Sequence, residues 1–104
     1  MVEETIIQRG TTLVRRLVLE PGDATTWHTD RCHRVTVVVR GTALAIEYRD
    51  GGEAHRVEVV AGQADWDGPT DGVHCAVNVG GATYEEVAIF LLESADAMPQ
   101  PIAE

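Results

Sequence analysis

Apolar positions along this chain recur in short, β-branched runs cut by glycine-bearing turns, without the longer period of an amphipathic helix. The runs predict strands near 5–8, 12–19, 25–28, 35–40, 42–48, 56–60, 64–66, 73–78 and 84–93. The clearest hairpin joins 43–48 to 55–60 through Asp50-Gly51-Gly52, since Asp-Gly readily takes the positive φ of a tight turn. In the last strand Tyr84, Glu86, Ala88, Phe90 and Leu92 share one face, and Val87, Ile89 and Leu91 share the other. A strand apolar on both sides is either sandwiched between sheets or buried in a subunit interface. The pattern predicts one all-β domain over 1–94, a small antiparallel β-barrel or jelly roll. From Ser94 the composition turns to alanine, proline and polar residues, so 95–104 reads as an extended or disordered tail.

A length of 104 residues with 44% hydrophobic content suits one compact core. The formal net charge of −9 argues against a nucleic-acid surface, which needs clustered basic residues. No apolar run approaches the roughly 20 residues that span a bilayer. The start Met1-Val2-Glu3-Glu4 is acidic where a signal peptide is basic, which gives a cytoplasmic expectation. Cys32 and Cys75 are too few for a disulfide framework, so reduced thiols are expected.

Two histidine-bearing segments stand out. One runs from Pro21-Gly22 through His28, Asp30 and His33 to Gly41; the other holds Gly62, Pro69, Gly72, His74 and Asn78. On a strand His28 and Asp30 leave the same face, as do His74 and Asn78, so both segments can converge inside a barrel. At these residues the chain resembles the cupin superfamily, and most of all its small single-domain members, some linked to catabolism of small carboxylic acids. The likeness spans about residues 12–93. Gly22 to His28 matches the spacing of the first cupin motif, and Gly62, Pro69, Gly72, His74 and Asn78 follow the second with small shifts.

The resemblance implies a divalent transition metal (Fe, Mn, Ni or Zn) in the barrel, and a small carboxylate or carbonyl compound as ligand. Two departures alter that picture. Asp30 replaces the second family histidine, though its carboxylate is still a metal ligand. Arg34 falls where the family has glutamate; a guanidinium repels a metal but pairs well with a carboxylate. His33 reaches the interior only if the 30–34 loop carries a bulge. In one site model His28, Asp30, His33 and His74 hold the metal while Arg34, Tyr48 and Trp66 line the substrate pocket. In the other, His28 and His74 line a metal-free pocket where Arg34 grips an organic anion.

Asp30 equally suits a turn, and His33 a solvent-facing position. His55 reads as surface, Trp27 as packing, Cys75 as a buried structural thiol, and Asn78 as a structural hydrogen-bonder. Asp65, Asp67 and Asp71 read as a solvated loop face. Three functions stay open: a metal-dependent enzyme (dioxygenase, isomerase or lyase type), a small-molecule binding module, and a structural domain with a vestigial pocket. No residue is singled out as a catalytic acid or base. The doubly apolar last strand gives a homodimer expectation.

Overall fold

In the computed structural model, which describes residues 1–92 and the backbone of 100–101, the chain forms two five-stranded antiparallel sheets. The strands are β1 (Val2–Arg9), β2 (Thr12–Leu19), β3 (His28–Asp30), β4 (His33–Arg40) and β5 (Ala43–Tyr48), then β6 (His55–Glu58), β7 (Ala64–Asp67), β8 (Thr70–Asn78), β9 (Tyr84–Leu91) and β10 (Gln100–Pro101). The first sheet has the order β1-β2-β9-β4-β7 and the second β10-β3-β8-β5-β6. The chain crosses repeatedly from one sheet to the other, as a jelly roll requires. No helix occurs among the described residues, and none is long and apolar enough to cross a membrane.

The two-faced strand is central. β9 lies between β2 and β4, with Tyr84, Ala88 and Phe90 buried and Val87, Ile89 and Leu91 half-buried on the opposite face. The foreseen hairpin pairs Leu44 with Val57 and turns at Gly51 (φ +85°), where the Asp50 carboxylate accepts from Gly52 N at 2.8 Å. One apolar cluster (Leu19, Val38, Leu44, Val59, Tyr84) joins the two sheets, and a second gathers Leu13, Cys32, Ala88, Phe90 and Leu92. Between the sheets lies a cavity of about 610 Å³.

Two glycine and asparagine positions fix the turns beside it. Gly41 has φ +138°, and a Cβ there would stand 2.7 Å from Cδ1 of Tyr84, so only glycine lets that ring close over the turn. Asn78 is 1% exposed; its Nδ2 donates to Leu19 O and Ala82 O at 2.9 Å each, and its Oδ1 accepts from Gly80 N. That satisfies the side chain within the scaffold, as expected of a structural hydrogen-bonder.

The structure revises two local expectations. The strand anticipated at 25–28 starts only at His28, because Thr25 spends its hydroxyl on Ala76 N (3.0 Å) and breaks the regular ladder. β7 runs one residue past the strand expected at 64–66, so Asp65 and Asp67 are strand residues opposite Thr36 and Arg34 rather than a solvated loop face. The tail expectation falls mostly outside the described residues; the backbone of Gln100–Pro101 is extended against β3.

Candidate metal centre

His28, Asp30 and His74 come together at one end of the cavity. β3 and β8 are neighbours with His28 opposite His74, while Asp30 lies opposite Thr70, so β8 carries extra residues at that point. Across this bulge the Asp30 side chain still reaches His74, with Oδ2 3.0 Å from Nε2. Ligand-capable atoms of the three residues all lie within 4.8 Å of one another. The imidazoles are 4.5 Å apart between ring centroids, tilted by 55°.

Each ring is oriented by its own strand. His28 Nδ1 donates to Thr26 O and His74 Nδ1 to Gly72 O, both at 2.8 Å, since a carbonyl can only accept. Backbone anchoring of Nδ1 leaves Nε2 as the inward atom, which is the usual preparation of a metal-binding histidine. His74 Nε2 lies 3.0 Å and His28 Nε2 3.7 Å from Asp30 Oδ2.

Asp30 is 3% exposed. Burial alone would raise its carboxyl, but the His74 hydrogen bond and the nearby Arg34 and His28 charges together hold it below the ordinary carboxylate range. The same hydrogen bond raises His74, against its desolvation. A divalent ion between them would displace the shared proton. Two imidazole nitrogens and one carboxylate oxygen form a fitting donor set for a first-row divalent ion.

Arg34 sits beside this triad. It enters from β4, opposite Asp67, with Nη1 2.9 Å from Asp30 Oδ2 and Nη2 3.7 Å from Asp67 Oδ2. The Nη1 approach is close enough for an ion pair but lacks hydrogen-bond alignment, so that buried N–H has no acceptor. Tyr48, cross-strand from His74, closes the same end with ring centroids 6.3 Å apart.

Two anticipated site residues lie elsewhere. His33 is not brought to the triad: it opens β4 one residue before the inward Arg34 and is exposed, its Nδ1 accepting from Trp66 Nε1 at 3.1 Å. The register irregularity lies on β8 rather than in the 30–34 loop, so nothing turns His33 inward. Trp66 is 61% exposed beside Val35 and reaches the cavity only at its rim. Cys32 and Cys75 are free and buried. Three cavity residues escaped the motif search: Asp67 on Arg34, and the pair Tyr84 and Glu86 deeper inside. Their one sequence signal is alternation, because acidic residues at Asp65 and Asp67 flank Trp66 and Glu86 interrupts an otherwise apolar strand face.

No family model matches the chain, and no curated protein does. Solved structures match throughout its length. A cupin domain from Bordetella pertussis Tohama I superposes with a TM-score of 0.77 at 18% identity, covering 89% of this chain and 93% of that one. A conserved protein with a double-stranded β-helix domain from Klebsiella pneumoniae gives 0.73 at 16% identity, covering 99% and 84%. An oxalate oxidase in complex with the substrate analogue glycolate gives 0.65 at 20% identity, covering 88% of this chain but 46% of that one. The fold is therefore the cupin-like double-stranded β-helix.

Proposed function

We propose that this chain holds one first-row divalent ion on His28, Asp30 and His74 and acts there on a small carboxylate or carbonyl compound. One observation carries the reading: both histidines spend Nδ1 on backbone carbonyls and turn Nε2 toward a single buried carboxylate oxygen. Such a centre polarises a carboxylate or carbonyl oxygen and lowers the pKa of bound water. The residues around it divide the remaining work. Asp30 supplies the negative charge, Arg34 presents the exposed part of its guanidinium to an anionic ligand, and Tyr48 covers the opening. The oxalate oxidase of similar fold binds glycolate, a small carboxylate, which agrees with this ligand class.

A second reading has its own support. Arg34 Nη1 at 2.9 Å from Asp30 Oδ2 means that the protein already neutralises this carboxylate without an ion, and a metal-free pocket for organic acids follows. Calorimetric titration of glycolate into metal-loaded and chelator-treated protein separates the two. Binding that disappears with the metal is expected; equal binding in both forms would favour the second reading. Chelation is also expected to lower the melting temperature, because an ion bound only by the native state stabilises it by mass action.

The outer face of the first sheet supports a homodimer. Ile7, Val14, Ile89, Val35 and Trp66 form one cross-strand apolar row over all five strands. Of the charges on this face, Glu4, Arg16, Glu85 and Arg40 pair with one another, and Arg9 stands at its edge opposite Thr12. Sedimentation at micromolar concentration is expected to show a dimer that Ile89→Glu converts to monomer. A monomeric wild type would contradict this.

A further inference from the structure

Deeper in the cavity, Glu86 occupies an unusual position. It lines the wall from β9, with Leu17 of β2 and Val38 of β4 as cross-strand neighbours, and Leu44, Val57 and Val59 line the cavity from the second sheet. A carboxyl in such surroundings loses hydration and has little to replace it.

The other charged side chains here are matched. Arg15 pairs with Glu3, Arg34 with Asp30 and Asp67, and Asp65 accepts from Gln63. Among the described residues, the hydrogen-bond partner of Glu86 is Tyr84, whose hydroxyl donates to Oε1 at 2.7 Å. Tyr84 is 1% exposed and pinned against Gly41, so it holds the carboxyl in place. Burial raises the Glu86 carboxyl toward its neutral form, and the Tyr84 hydroxyl is raised likewise. A neutral carboxyl whose one oxygen already accepts from tyrosine still has an O–H to donate.

We propose that Glu86 and Tyr84 form a second polar subsite, which takes an uncharged hydroxyl or keto oxygen of a ligand whose carboxylate lies at Arg34 and the triad. This rests on the triad reading above and narrows its ligand class. Val38, paired with Glu86, is four residues from Arg34, or about 13 Å along the strand. Between them the first sheet presents Ala88 flanked by Thr36 and the Glu3-paired Arg15, and the second sheet presents Ile46 and Ala76. The fitting ligand is an aliphatic hydroxy- or oxo-acid, with several carbons separating the two polar ends.

The test titrates hexanoate and 6-hydroxyhexanoate into metal-loaded wild type, Glu86→Leu, Glu86→Gln and Arg34→Gln. Wild type is expected to prefer the hydroxy-acid by about tenfold, the scale of one buried hydrogen bond. Glu86→Leu brings that ratio to about one, while Glu86→Gln retains a preference because its amide still donates. Arg34→Gln weakens both acids together. An unchanged ratio in Glu86→Leu, or no preference in wild type, overturns the Glu86 subsite while leaving the Arg34 site intact. Failure of both acids to bind wild type overturns the site reading and this inference together.

Discussion

Replacing Asp30 with alanine is expected to abolish ion binding and to destabilise the metal-free protein by roughly 3 kcal/mol. The carboxylate is almost fully buried, and His28, Arg34 and His74 all turn nitrogens toward its Oδ2. Its loss leaves Arg34, with a side chain 21% exposed, retaining only the longer Asp67 contact. Residual solvent access to the guanidinium holds the cost toward the lower end of the range for broken buried pairs. Urea denaturation in the presence of chelator measures this directly. Asp30→Asn is expected to fall between, because an amide oxygen still accepts from His74 but carries no charge for Arg34. An alanine variant as stable as wild type would mean that Arg34 and His74 do not depend on this carboxylate.

Arg34→Gln is expected to move two affinities in opposite directions. Removing a cation 2.9 Å from a ligand oxygen of Asp30 removes repulsion toward a divalent ion, so metal binding tightens by about tenfold or more. The same change removes a charge-assisted donor to the organic acid, which is worth about 1.5–3 kcal/mol, or roughly 10–100-fold in affinity. Parallel titrations of Ni²⁺ and glycolate give both numbers on one sample. If the two affinities fell together, Arg34 would be a scaffold residue rather than the anion-facing group beside the metal.

Much of this site was legible because strands alternate. Parity put His28 with Asp30, and the cupin-like second segment supplied His74. The same rule disposes of His33: with Arg34 directed inward, its neighbour on a regular strand faces out, and only a bulge could reverse that. The bulge lies instead on β8, where Gly72 and the residues around it give no unambiguous signal of which strand carries the extra length. Asp67 was hidden for a related reason. The strand expected at 64–66 stops one residue short, and Asp67, acidic and next to Gly68, reads as loop until β4 is seen to pair with it through Arg34. For Glu86 the alternation was visible, but the chain does not reveal that empty space lies beside it. A cavity is a property of two sheets that fail to meet, and no single strand encodes it. The hairpin at Gly51 and the doubly apolar β9 needed no such information, because turn chemistry and strand patterning are local.

Elemental analysis of the purified protein is the most direct measurement of the proposed centre. Wild type is expected to carry close to one equivalent of a single first-row divalent metal, and His28→Ala/His74→Ala close to none. Wild type that remains metal-free after incubation with Fe²⁺, Mn²⁺, Ni²⁺ or Zn²⁺, or a double variant equally loaded, would contradict it.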